Sequence, residues 1–237
     1  MNTLEIAAIG LQQDVERLRV TSHNVANVTT PGYKRQVALQ AAFSDVLDAQ
    51  MSAQQAPSVH SDLSAGKLRA TGNPLDVALA DREFLGVATA NGASALMRGG
   101  ALQVDARGRL VTSGGLAVQG VNGDITVPTT AGSVRIDAAG QVFADDKSVG
   151  SLRVFKLKPG AALSALGDGL FAVSDVADAQ PVASPALQTG HTEASNVVSS
   201  QEMVQLMSTT RHAESMVRLM QGADEMLEKT IRKLGEM

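Results

Sequence analysis

Side chains at alternating steps of three and four run from Met203 to Leu234, and they constrain this chain more than any other feature. The positions are Met203, Leu206, Thr210, Ala213, Val217, Met220, Asp224, Leu227, Ile231 and Leu234. Such spacing is the mark of a helix with one apolar stripe. Ser199 with Glu202 offers a capping box at its start, and Gly235 offers a terminator. The expected helix runs to ~35 residues, roughly 52 Å at the α-helical rise. Met216, Leu219, Ala223 and Met226 form a second stripe beside the first. A helix apolar on more than one side needs more than one neighbour. Five of the nine methionines lie between Met203 and Met226, and methionine adapts to dissimilar surfaces.

The N-terminus shows the same periodicity. Asn2 and Glu5 can form a capping box, and Leu4, Ala8, Leu11, Val15, Leu18, Ser22 and Val25 follow in steps of four and three. Pro31 disfavours helix at the residue before it, so the helix is expected to stop around Asn27–Thr30. Between the helical ends the composition changes. Eighteen of the 22 glycines and five of the seven prolines fall between Gly66 and Gly190. Short apolar runs there alternate with turn chemistry, the all-β pattern. The runs are Leu75–Leu79, Leu116–Val118, Ile125–Val127, Val134–Ile136, Leu152–Leu157 and Leu170–Val173. Two turns read as copies: Val104-Asp105-Ala106-Arg107-Gly108-Arg109-Leu110 and Ile136-Asp137-Ala138-Ala139-Gly140-Gln141-Val142. In each, Asp closes the turn and Gly supplies positive φ.

The expected fold is therefore α+β, with long N- and C-terminal helices forming a coiled coil around a central all-β, sandwich- or barrel-like domain. The boundaries read as 1–30 for the first helix, 31–70 for an extended connector, 71–190 for the β-domain and 195–237 for the last helix. Within the connector, Val37 to Met51 is weakly helical in pattern, and Gln54 to Ser58 reads as polar linker.

Chemistry is hard to place on these residues. The chain has no Cys, which excludes disulfides, thiolate metal sites and cysteine nucleophiles. It has no Trp, one Tyr and five Phe, leaving little from which to build an aromatic-lined pocket. The four histidines, His23, His60, His191 and His212, lack metal-ligand spacing, and the pairs His191/Glu193 and His212/Glu214 point apart on a helix. No nucleophile elbow is present; Gly66-Lys67 lacks the rest of a phosphate loop, and Gly167-Asp168-Gly169 reads as a turn. Asp145-Asp146 reads as a solvated loop. The expectation is a non-enzyme without cofactor or metal. A net charge of −4 argues against nucleic acid. No apolar stretch is long enough to span a bilayer, so no direct membrane insertion is expected, and the first residues lack the basic and apolar regions of a cleaved signal.

Ser22-His23-Asn24-Val25-Ala26-Asn27-Val28-Thr29-Thr30-Pro31-Gly32-Tyr33-Lys34 resembles the signature that closes the first helix of bacterial flagellar rod and hook proteins. The last helix resembles the same family at Ser195-Asn196-Val197, Glu202-Met203-Val204 and Ala223-Asp224-Glu225-Met226. Thr71-Gly72-Asn73-Pro74-Leu75-Asp76-Val77-Ala78-Leu79 is similar to the element that opens its β-domain. The chain departs from the family at Thr210-Arg211-His212-Ala213-Glu214, which has no aromatic, and at Asp81-Arg82-Glu83-Phe84, where a glycine-rich turn is usual. The resemblance implies a structural subunit of the basal-body rod, the proximal rod first and the distal rod second. It would polymerise helically with itself and other rod proteins, cross the periplasm, and leave through the flagellar type III export apparatus without a cleaved signal. The competing expectation is a secreted coiled-coil binding module with a β recognition domain.

The expected assembly residues are Leu11, Val15, Leu18, Met203, Leu206, Val217, Met220, Leu227 and Ile231. The motif residues carried by the resemblance are Ser22, Asn24, Asn27, Thr30, Gly32, Tyr33, Lys34, Ser195, Asn196 and Val197. Asn24, Asn27 and Gly32 read as helix termination and turn geometry, with partner contact as the alternative. Tyr33 reads equally as a contact anchor or as cover for the turn.

Overall fold

The computed structural model describes residues 3–38, 59–89, 92–161, 163–173 and 175–235. The weakly helical reading of Val37 to Met51 lies outside them except for Val37 and Ala38, which belong to a strand, Gln36–Ala38. The polar linker at 54–58 and the capping Asn2 also lie outside. The chain divides into two compact units, one of Met1–Ala26, Gln36–Val59 and Val198–Met237, the other of Asn27–Arg35 and His60–Val197.

The first unit holds two helices, α1 (Thr3–Ala26) and α2 (Ser199–Gly235). The second holds nearly all the strands. Its largest sheet has six antiparallel strands in the spatial order Leu163–Gly167, Leu170–Val173, Ser94–Met97, Glu83–Ala88, Val154–Leu157 and Ala179–Pro181. A four-stranded sheet runs Gln188–Thr189, Asp76–Ala78, Gly99–Val104 and Leu110–Thr112, and a three-stranded one follows at Val134–Ile136, Gln141–Ala144 and Lys147–Ser151. Val77, Leu85, Val87, Leu110, Val118, Val142, Leu152 and Val154 fill the main core, while Phe84, Leu96, Leu157, Leu163 and Phe171 fill a second, smaller one.

The copied turns are structural copies. Asp105 Oδ1 accepts the N–H groups of Arg107 and Arg109 at 2.8 Å each, and Asp137 Oδ1 those of Ala139 and Gln141 at 2.9 and 2.8 Å. Gly108 and Gly140 both have φ of 79°, a conformation that side-chain-bearing residues avoid.

The expected fold class is corrected. The described residues are mostly β, with only two α-helices, and the helices do not form a long coiled coil. α1 has 24 residues against 37 in α2, so the C-terminal helix runs on alone as a separate element. Val20 is the one large apolar side chain fully buried on α1 among the described side chains. Ala7, Asp14, Thr21 and Asn24 are buried there, whereas Val15, a position of the expected seam, is 58% exposed. The apolar spacing on α1 is real but sits about one residue away from the face that is covered, and small and polar side chains cannot interlock as a coiled-coil seam does.

Candidate functional site

The family-like signature leads into a junction built around one carboxylate of the second unit. After α1 the chain turns through Asn27 and Thr30, with the Thr30 N–H donating to Asn27 O at 3.1 Å and its hydroxyl to Asn27 Oδ1 at 3.2 Å. Gly32 then adopts φ of 69°, and its N–H donates to the Glu193 carbonyl at 2.7 Å. Tyr33 is buried beside it. Lys34 follows, 1% exposed, and reaches Glu193, itself 3% exposed.

Glu193 accepts from three donors. Lys34 Nζ lies 2.7 Å from Oε1, the Gly66 N–H donates to the same oxygen at 2.6 Å, and Arg98 Nε donates to Oε2 at 2.7 Å. Lys34 Nζ also donates to Ser64 O at 2.6 Å. Arg98 Nη1 donates to the carbonyls of Ala80 and Glu83 at 2.6 Å each, and the guanidinium lies over the Phe84 ring, 5.5 Å from its centre. Lys34 and Arg98 share the buried Glu193 carboxylate, and Asp62 adds a further attraction on Lys34, so each cation depends on Glu193 and on the carbonyls around it. Burial pushes the Lys34 ammonium below its ordinary pKa, and Glu193 opposes that shift. Gly66 is required for a different reason. A Cβ there would collide with the carbonyl oxygen of Ala194.

Two asparagines work as substitutes for backbone. Asn196 Oδ1 accepts the Arg35 N–H at 2.7 Å, while its Nδ2 donates to Asp62 O at 2.9 Å, Ser64 O at 3.2 Å and Ser64 Oγ at 3.1 Å. Ser195 Oγ accepts the Val197 N–H at 3.2 Å, and Val197 is buried. In the first unit, Asn24 Oδ1 accepts the Gln36 N–H and Asn24 Nδ2 donates to Gln36 O, both at 2.8 Å, as a neighbouring strand would. Asn24 Nδ2 also donates to Glu202 Oε2 at 3.1 Å. Asn24 is therefore a tertiary contact and not a helix terminator. Ser22 stays exposed on α1.

The expected assembly residues separate into two groups. Leu11, Leu18, Leu206 and Met220 are half-buried, whereas Val15, Met203, Val217 and Ile231 are exposed. The side chain of Leu227 lies outside the described residues. Leu219 and Met226 of the second stripe are exposed on another side of α2.

Arg98, Gly66 and Glu193 were not singled out from sequence as one site. Arg98 is 95 residues from Glu193 in the chain and Lys34 is 159, so no local spacing links them. His191 and Glu193 do not act together: His191 Nδ1 lies 2.9 Å from Thr189 O, while Glu193 serves the junction. Asp145 does more than solvate its loop, because it accepts the N–H groups of Gly132 and Ser133 at 3.0 and 2.9 Å. Among the described residues no group of three or more His, Asp or Glu is placed to hold a metal ion, and no helix is long and apolar enough to cross a membrane.

The chain was compared with known families and proteins. Residues 4–34 match the family described as flagella basal body rod protein, and residues 78–144 match the flagellar hook protein FlgE/F/G D1 domain. Residues 188–233 match the C-terminal region of flagellar basal body rod FlgEFG proteins. The flagellar basal-body rod protein FlgG of Agrobacterium fabrum is 30% identical, covering 95% of this chain and 97% of its own. The flagellar basal-body rod protein FlgF of Escherichia coli is 32% identical over 90% of each chain. FlgF of Caulobacter vibrioides is 26% identical over 97% of each.

Proposed function

This chain belongs to the flagellar basal-body rod protein family and is a structural subunit of that rod; on that premise we propose that the exposed apolar side chains on two sides of α2 join it to neighbouring subunits. The observation that carries the proposal is Met203, Val217, Leu219, Met226 and Ile231 standing exposed on one helix, Ile231 at 69%. Apolar side chains left in water along a helix of 37 residues mark a surface that another protein covers. The neighbours are further copies of this chain and other rod proteins. Subunits that join head to tail without closing generate a helical filament.

The role is mechanical. Load passes from subunit to subunit through packed side chains, and no bond is made or broken. The buried Lys34–Glu193–Arg98 junction supports this reading, because it fastens the family signature and the strand His191–Glu193 within one unit. The segment would lie in the proximal rod. FlgF of Escherichia coli is 32% identical to this chain, against 30% for FlgG of Agrobacterium. Export as an unfolded chain through the flagellar apparatus completes the proposal. Nucleic acid and the bilayer interior have no part in it.

The test is deletion of the gene, with electron microscopy of purified basal bodies and a swimming assay, followed by complementation with Val217→Asp/Met226→Asp. Rods missing or cut short, with the stump length marking the position, are expected from the deletion. The double variant should fold, because substitutions at exposed positions usually change stability by within about 0.5 kcal/mol, yet fail to restore swimming. Normal swimming with the double variant would overturn the interface.

A further inference from the structure

The two helices of the first unit meet along a line that carries little apolar surface. On α1 the inward line runs through Ala7, Gly10, Asp14, Arg17, Thr21 and Asn24, in steps of three and four, with Val20 buried and Leu11 and Leu18 half-buried beside it. On α2 they include Leu206, Thr209, Ala213, Met216 and Met220. Three contacts define how the lines match. A Cβ on Gly10 would touch Met216 Cε at 3.4 Å, Asp14 Oδ2 lies 2.5 Å from His212 Nδ1, and Asn24 Nδ2 donates to Glu202 Oε2 at 3.1 Å. The residue numbers of each pair add to the same total, so one antiparallel register holds from Gly10 to Asn24.

Side-chain size cannot select that register. With Gly, Ala and Thr between flexible Leu and Met, a slide of seven residues, ~10 Å along the helix, meets much the same small and apolar surface. The charged and amide groups do discriminate. A slide that brings Thr209 to Asn24 places Leu219 opposite Asp14, and a buried carboxylate then loses the partner that α2 supplies and keeps only the longer contact with Arg17. Arg17 Nη1, 3.6 Å from Asp14 Oδ1, belongs to α1 itself and cannot report the position of α2. In paired helices a single polar residue in the seam is enough to fix register, at some cost in stability.

We infer that Asp14–His212 and Asn24–Glu202 are register-setting pairs: they select which stretch of α2 lies on α1, and thereby which apolar side chains of α2 face outward. The inference concerns the helix pair alone and stands whether or not the exposed apolar side chains of α2 join subunits.

Cysteine cross-linking of the full chain tests it without background, since the natural sequence has no Cys. Gly10→Cys is combined in turn with Met216→Cys, Thr209→Cys and Ala223→Cys. A thiol reagent spanning about 5–8 Å is shorter than the ~10 Å slide and separates the three registers. The parent chain should link position 10 to 216 at least about tenfold faster than to 209 or 223, as expected when a slide takes a partner from a buried charge. In the Leu/Leu chain, which carries Asp14→Leu/His212→Leu and also Glu202→Leu so that neither pair remains, that preference should fall to about threefold or less while far-UV circular dichroism keeps its helical signal. Asp14→Asn/His212→Gln, which retains a hydrogen bond, should keep the preference. An unchanged preference in the Leu/Leu chain would overturn the inference. So would loss of its helices, which would make the pair a source of stability and not of register, or an Asn/Gln chain that slides as freely as Leu/Leu.

Discussion

Replacing Glu193 by Gln should unfasten the second unit, and the size of the effect follows from burial. Lys34 and Glu193 are 1% and 3% exposed, and the carboxylate accepts from Lys34, Arg98 and Gly66 at 2.6–2.7 Å. An amide of the same shape is neutral and presents one accepting oxygen and one N–H₂ group, so both buried cations lose the Glu193 counter-charge and one loses its acceptor. Removing one partner of a buried pair costs about 3–5 kcal/mol. At about 2–4 °C per kcal/mol for a domain of this size, the melting temperature should fall by about 6–20 °C. Differential scanning calorimetry of the full chain measures it. Glu228→Gln is the control, because Glu228 pairs with Arg232 at 3.0 Å where both side chains are mostly exposed, and such pairs contribute about 1 kcal/mol or less. Lys34→Met should cost less than Glu193→Gln, since Arg98 and Glu193 keep each other as partners. The pH dependence has a definite sign. With the Lys34 value lowered on folding, the unfolded chain holds more protons between the lowered and the ordinary lysine value, so this group's contribution to stability rises with pH across that alkaline interval. Lys34→Met should flatten the rise. If Glu193→Gln melted within about 2 °C of the parent, no further from it than an exposed-pair control, the junction would not hold the unit together.

Other outcomes follow from single positions. Gly66→Ala should lower stability by at least about 2 kcal/mol, because the added Cβ meets the Ala194 carbonyl beside Glu193; a melting curve like the parent's would show that the strand yields freely. Arg82→Gly should raise stability by about 1 kcal/mol, because Arg82 sits at φ of 56°, where side chains are strained; urea titration checks it, and a loss would mean that the arginine side chain outweighs the strain. The N–H of Arg109 holds the Asp105 carboxyl below the usual aspartate range, and the N–H groups of Gly132 and Ser133 do the same for Asp145. Their stabilisation is complete above the ordinary aspartate value and is lost as pH falls through the lowered ones. Carboxyl NMR titration should place both midpoints below the ordinary value, and midpoints at or above it would refute the turn geometry.

The copied Asp-to-Gly turns are legible in the sequence itself, because every bond that makes them lies within five residues. The ends of α1 and α2 are legible for the same reason, Pro31 and Ser199 acting on their immediate neighbours. Strands such as Leu170–Val173 and Val134–Ile136 announce themselves as apolar runs between turns. Glu83–Ala88 and Ser94–Met97 do not, since Glu83, Gly86 and Ser94 interrupt the pattern, although the sheet buries most of both.

Helical periodicity shows that α1 and α2 have apolar stripes, but it cannot show which stripe is covered. The covered faces carry Asp14 meeting His212 and Asn24 meeting Glu202, polar contacts across 198 and 178 residues. Val15 and Met203 stay exposed, and Ile231 lies past the end of α1. Likewise, Lys34 can be read as part of a signature, yet its partner Glu193 cannot. Local chemistry sets turns and helix ends because the interacting groups are already neighbours in the chain. The junction and the covered helix face exist only when folding brings distant charges out of water, where an unpaired one is costly enough to select a single arrangement.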